Sequence, residues 1–212
     1  MSEGLNNFST VVTTAAAAVA VYFAWMGLST WKTQIKWQTD HDLARRLLVE
    51  IYRFRDAVAA ARSPFFWAHE TRDENEASTS RLSTEDERHA GLMRAYQRRF
   101  SEIGESGPQL YALLLEAQAV WGPELSNRWR MVNRLQNELS SQTQLYLDYS
   151  DPKNKGADPT AFYANKEAKE AARLVVHPNG EADGKNDFSN RLASAIAEVE
   201  DYLRPKLGRP SP

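Results

Sequence analysis

The sequence predicts an all-α protein in which an N-terminal transmembrane helix continues into a long helix of a four- or five-helix cytoplasmic bundle. Three observations carry this. The stretch from Phe8 to Leu28 holds no charged side chain, apolar residues recur every three to four positions through most of the remainder, and no alternating strand pattern of convincing length occurs. A chain of 212 residues suits one ordinary domain plus an appendage. With 26 basic against 28 acidic residues it lacks the basic footprint of a domain that grips nucleic-acid phosphates, so no nucleic-acid partner is expected. The lack of cysteine excludes a disulfide scaffold, a thiolate metal site and a cysteine nucleophile.

Residues 1–7 read as a short extracytoplasmic N-terminus and 8–28 as the transmembrane helix. About twenty helical residues at 1.5 Å each reach roughly 30 Å, the thickness of the hydrocarbon core. Hydrophobicity is moderate, since Ala15 to Ala18 and the threonines gain little from lipid. The far end is ordered like an anchor: Tyr22, Trp25 and Trp31 suit the headgroup layer, and Lys32 and Lys36 follow them. A cleavable signal peptide would need a basic region ahead of the apolar run, and only Glu3 and the amino terminus stand there. Lysine and arginine lie after the span and none before it, which predicts a single pass in the cell inner membrane, N-terminus outside and C-terminal domain cytoplasmic. Basic residues from Lys32 to Arg46 would each gain about 1 kcal/mol near anionic lipid. Thr13, Ala16, Ala20, Ala24 and Gly27 lie at steps of three or four, a small-residue face through which two spans could pair. The competing reading is an alanine-rich helix packed inside a soluble bundle.

Residues 29–207 form the cytoplasmic bundle, and 208–212 a disordered tail. Leu43, Leu47, Ile51, Phe54 and Val58 make one apolar stripe, widened by Leu48. With no glycine or proline between Gly27 and Pro64, one rod from Thr10 to Arg62 would run about 80 Å; the alternative is a bend at Gly27 to Thr30. Pro64 to Arg81 reads as a loop whose Phe65, Phe66 and Trp67 plug the core. Ser83 and Thr84 before Asp86 and Glu87 resemble a capping box, opening a helix with Leu92, Tyr96, Phe100 and Ile103 on its apolar face and ending at "GESGPQ". Pro108 then opens a second helix through Leu110, Leu113, Leu114, Ala117, Val120 and Trp121. Gly122-Pro123 either turns the chain or kinks it. Leu125, Trp129, Val132, Leu135, Leu139, Thr143 and Tyr146 keep the narrow stripe of a bundle or coiled-coil-like helix. After the "DPKNKGADP" loop come a helix from Thr160 to Val176, the turn-rich "HPNGEADGKND", and a last helix through Phe188, Leu192, Ile196, Val199 and Leu203 that frays at "RPKLGRPSP".

Chemistry is sparse. "HETRD" at His69 is half of a helical zinc motif, but Asp73 stands where the second histidine belongs, and the loop composition argues against a helix. Asp86 and His89 have the carboxylate-x-x-His spacing of di-iron bundles without the second copy such sites need, so His89 reads as an exposed helix residue. His41 and His177 lie in other segments. No G-x-S-x-G elbow or phosphate-binding glycine loop occurs. Glu50 and Glu116 flank apolar stripes and read as solvated, acids being rarely buried. Arg88, Arg94, Arg98 and Arg99 make the densest basic face, beside an acidic stretch from Glu70 to Glu87. Such a face recruits a partner or pairs internally, the second being commoner. Neither catalytic residues, nor a metal, nor a cofactor is assigned.

The passage "STWKTQIKWQTDHDLARRLLVEIYRFRDAVAAARSPF", Ser29 to Phe65, resembles the start of a group of uncharacterised bacterial proteins with one N-terminal transmembrane helix and a helical cytoplasmic domain, echoed in "LLEAQAVWGPEL". The resemblance implies that architecture and a bacterial inner-membrane setting. It carries no activity and gives no residue a role. The expected function is therefore a non-enzymatic, membrane-anchored interaction module whose partners are membrane lipid and either a protein or further copies of itself. An oligomerising, membrane-active effector or pore-like assembly stands second, and an enzyme with an unrecognised site third.

Overall fold

The structure is a computed structural model that describes residues 2–72, 84–154, 159–178 and 187–208, with side chains described at 20, 22–27, 31–72, 84–153, 166–178 and 187–208. It is all-helical among these residues. Six α-helices follow in order: α1 (Ser2–Ala61), α2 (Ala68–Thr71), α3 (Glu85–Trp121), α4 (Glu124–Ser150), α5 (Pro159–Val176) and α6 (Asp187–Leu207), with one 3-10 turn at Pro152–Asn154.

The apolar stripes become the core. Leu43, Leu47 and Ile51 of α1 are fully buried, with Phe54 and Val58 nearly so. They meet Ile103, Leu110 and Leu114 of α3, Leu125 to Leu139 of α4, and Phe188 to Leu203 of α6 in one cluster. Each such side chain gains roughly 1.5–3 kcal/mol on leaving water. Packing joins α1 to α3, α3 to α4, α4 to α6 and α6 back to α1, a closed ring of four helices, while α5 lies on α4 and α2 on α3. Cross-helix bonds fix antiparallel neighbours. Arg46 meets Glu116 and Asp40 meets Trp121 between α1 and α3; Glu138 meets Arg191 and Arg128 meets the Glu198 carbonyl between α4 and α6; Trp37 meets Gly208 and Arg62 meets Ser189 between α1 and α6. This is the up-down-up-down ring of a four-helix bundle, the bundle the stripes predict.

The helix is unbroken, as the rod reading expects: α1 is one helix from Ser2 to Ala61. The break expected at "GESGPQ" is absent: α3 runs from Glu85 to Trp121 with Pro108 inside it. Ile103, Leu110, Leu113 and Leu114 lie on one helical face across the proline and are all buried, so packing overrides its local cost. The Ser106 hydroxyl donates to the Ile103 carbonyl at 2.8 Å, and Gly104 and Gly107 have open space where a Cβ would go. Gly122-Pro123 is a turn: Gly122 caps α3 at φ +83°, where its N–H donates to the Gln118 carbonyl, and α4 starts two residues later. Thr84 forms the expected capping box, its hydroxyl accepting from the Glu87 N–H at 3.1 Å and the Glu87 carboxylate accepting from the Thr84 N–H at 3.0 Å. The last helix extends through Pro205 to Leu207, past the fraying expected at "RPKLGRPSP". Residues 209–212 of the expected tail lie outside the described residues.

Two burial expectations are corrected. Phe65 and Trp67 are 81% and 72% exposed, so the aromatic plug reduces to Phe66, which packs edge-on against Tyr96. Glu50 is 5% exposed, because it lies between Leu47 and Phe54 on the apolar stripe, and Arg53 donates to its carboxylate at 2.8 Å. Glu116 remains a half-exposed flank, paired with Arg46.

Candidate functional site

Two constellations occupy opposite ends of the bundle. The distal end, where α1 finishes, is built on Arg99. Its position three residues after Tyr96 and four before Ile103 puts it on the apolar face of α3, and it is 4% exposed. A guanidinium there must find partners for a rigid fork of donors. Nε and Nη2 donate to the two Glu70 carboxylate oxygens at 2.8 and 3.0 Å. Nη1 donates to the Ser63 carbonyl and Nη2 to that of Phe65, while the cation lies 4.2 Å over the Phe66 ring. Arg98 donates to the His69 and Glu70 carbonyls, and Arg94 to that of Thr71. The basic face of α3 therefore pairs internally at Arg94, Arg98 and Arg99, fastening residues 63–71 onto the helix. Hydrogen bonding to Arg99 outweighs burial and holds the Glu70 carboxyl below the ordinary carboxylate value.

Beneath this clamp His177, 8% exposed, stands edge-on to Tyr146 at 5.4 Å and within 3.4 Å of the Tyr96 hydroxyl. Burial lowers its pKa against a backbone hydrogen bond at Arg62, and Arg173, Arg62 and Arg99 lower it further. Burial also raises the pKa of Tyr96 and Tyr146. Arg62 is 6% exposed; it donates to the Val175 carbonyl and the Ser189 hydroxyl and lies over the Phe188 ring. The group is closed to solvent and its donors are directed inward. It locks helix ends together. Sequence reasoning missed it, although a charge standing on an apolar stripe was the available signal.

The metal-like spacings lead nowhere among the described residues, where no group of three or more potential ligands converges. His69 lies in the single turn of α2, contrary to the loop expected there. His89 is half-buried, not exposed, and its Nδ1 has no hydrogen-bond partner among the described residues. His41 stacks against Trp37 and donates from Nδ1 to the Leu207 carbonyl at 3.2 Å.

The proximal end is where α1 leaves the bundle. Upstream of Trp37 the described residues of α1, Ala20, Tyr22 to Gly27 and Trp31 to Lys36, are all exposed, with Tyr22 at 57%, Trp25 at 68% and Trp31 at 61%. Tyr22, Trp25, Lys32 and Lys36 follow at steps of three, seven and four, one side of the helix; Trp31 falls opposite. Of the small-residue face, Ala20, Ala24 and Gly27 are exposed, whereas the Thr13 and Ala16 side chains lie outside the described residues. Among the described residues no helix is long and apolar enough to cross a membrane. Within 8–28 side chains are described at Ala20 and Tyr22 to Gly27. No known protein family, no curated protein and no solved structure matches the chain.

Proposed function

We propose that this chain is a non-enzymatic, membrane-anchored interaction module: residues 8–28 span the bacterial inner membrane with the N-terminus outside, and the helical bundle binds a protein partner, or itself, at the cytoplasmic face. One observation carries the reading. Tyr22, Phe23, Trp25, Met26 and Trp31 are exposed on a helix that projects from the bundle, and large apolar side chains left in series on one rod call for a non-aqueous neighbour. Phe65 and Trp67 support the partner half of the reading, being exposed aromatics on a segment that Arg98 and Arg99 fasten in place; rigid aromatics are the common anchors of protein interfaces.

Because the chain lacks cysteine, single cysteines at Ser2 and Pro212 in separate variants can be labelled by an impermeant thiol reagent in intact cells. Labelling at Ser2 alone supports the orientation; extraction without detergent overturns the anchor. Phe65→Ala with Trp67→Ala should release a specific partner or dissociate an oligomer. The exposed Ala20, Ala24 and Gly27 favour a second reading, an oligomerising effector whose spans pair through that face. Ala20→Leu with Ala24→Leu should then abolish membrane leakage on overexpression, and unchanged leakage counts against it.

A further inference from the structure

We propose that the end of the bundle from which α1 emerges is a docking surface for anionic lipid headgroups, formed by Lys32 and Lys36 of α1 together with Lys206 of α6. The inference rests on the anchor reading and names a second contact with the same membrane. Lys206 is distant in sequence and reaches this place because the end of α6 is pinned to α1. The Trp37 indole N–H donates to the Gly208 carbonyl at 2.6 Å, and His41 holds the Leu207 carbonyl. The Lys206 ammonium then lies 4.3 Å over the Trp121 ring and 4.7 Å over that of Tyr202. Burial lowers its pKa, with Asp40 raising it and Lys36 lowering it, so cations from two helices stand within electrostatic reach of each other.

The surrounding carboxylates have partners of their own. Asp40 accepts the Trp121 indole N–H at 2.7 Å, Glu124 pairs with Arg128, and Glu200 and Asp201 pair with Arg204. Lys32, Lys36 and Lys206 take part in no ion pair among the described residues. Lys32, Lys36 and Lys206 outnumber Asp40, the carboxylate that acts on Lys206. At the distal end, by contrast, Arg62, Arg94, Arg98 and Arg99 all bind backbone carbonyls. Height completes the argument. Lys36 follows Leu28 by eight residues, about 12 Å along the helix, and a headgroup layer accounts for roughly 5–8 Å of that. Lys36 therefore stands within a Debye length of about 8 Å from the lipid surface. A helix tilt of about 20° lowers one side of the bundle further.

The test uses the full chain in vesicles of phosphatidylcholine, with or without phosphatidylglycerol, and energy transfer from a dye on the bundle to dye-labelled lipid. Gly208→Cys carries the dye at the proximal end, since a Cβ there meets only the Pro205 carbonyl oxygen at an ordinary 3.5 Å; Ala68→Cys is the distal control. Transfer from position 208 should rise with phosphatidylglycerol and fall with salt. Lys36→Gln and Lys206→Gln should each cut the docked-to-undocked ratio about fivefold. Lys36 is exposed, so its variant keeps the test open if Lys206→Gln unfolds. Insertion that resists carbonate, with transfer from position 208 indifferent to lipid charge, overturns the docking surface alone. Carbonate extraction from both vesicle types overturns the anchor and the docking surface together.

Discussion

Arg99 and Glu70 form a two-pronged ion pair, 2.8 Å from Nε to Oε1 and 3.0 Å from Nη2 to Oε2, with side chains only 5% and 13% exposed. Removing one member of such a pair strands the other in a poorly solvated site, which costs about 3–5 kcal/mol. Arg99→Ala should therefore lower the melting temperature by several degrees, at about 2–4 °C per kcal/mol for a chain of this size. It would also release residues 63–71, visible as faster amide exchange and proteolysis there. Arg99→Met with Glu70→Leu should destabilise by less than the sum of the single variants, because the two sites share one interaction. Additive losses in thermal melts would contradict the pairing.

Glu70 also predicts behaviour in acid. Its folded pKa lies below the ordinary 4.5, chiefly through Arg99, so its stabilisation is complete above 4.5 and is lost as pH falls through the lowered value. Glu70→Gln should melt below the parent at neutral pH, and the two curves should converge on acidification. A constant gap across the titration would remove Glu70 from the account.

His177 acts through burial, in a different range of pH. Its folded pKa lies below 6.5, with desolvation the largest cause. An unfolded chain then takes up the proton first, so the stability present above 6.5 declines as pH falls toward the folded value. The parent should melt lower at mildly acidic than at neutral pH, and His177→Gln should flatten that slope. Equal slopes would place the acid-sensitive group elsewhere.

The apolar stripes were legible because burial in a bundle writes a three-to-four period into sequence, and Leu43 to Val58 and Leu125 to Leu139 lie in the core accordingly. Interruptions of the stripe were harder to read. Arg99 and Glu50 stand at core positions, and the partners of Arg99, Glu70 and the Ser63 and Phe65 carbonyls, come from segments whose approach is a tertiary event. Pro108 misled for the opposite reason: local chemistry argues for a break, while four buried residues across it hold the helix together. Phe65 and Trp67 show that an aromatic cluster does not reveal which ring faces inward.

The glycines of α3 should respond with opposite signs. Gly122 adopts φ +83° at the turn into α4, a conformation that disfavours a Cβ. Gly122→Ala should cost about 1 kcal/mol, lowering the melting temperature by about 2–4 °C. Gly104 and Gly107 lie inside the helix with open space where a Cβ would go, so alanine at either should stabilise by up to about 1 kcal/mol. Pro108→Ala restores an N–H to the Gly104 carbonyl and should stabilise by as much as about 3 kcal/mol. A lower melting temperature for Pro108→Ala would mean that the bundle requires the distortion.

The projecting part of α1 should be dispensable for the bundle's own stability. Among the described side chains of α1 the first that is fully buried is Leu43, and those from Tyr22 to Lys36 are exposed. Trp37 and His41, which hold the end of α6, lie downstream of that segment. A chain beginning at Lys36 should keep the helical thermal transition of the whole protein within about 2 °C, less than the shift expected for 1 kcal/mol. It should also stay in solution without detergent, where the full chain would need it, since the deleted rings at Tyr22, Phe23, Trp25, Met26 and Trp31 are those left uncovered. A large loss of stability on truncation would mean that the N-terminal helix folds back onto the bundle, and the anchor reading would fall with it.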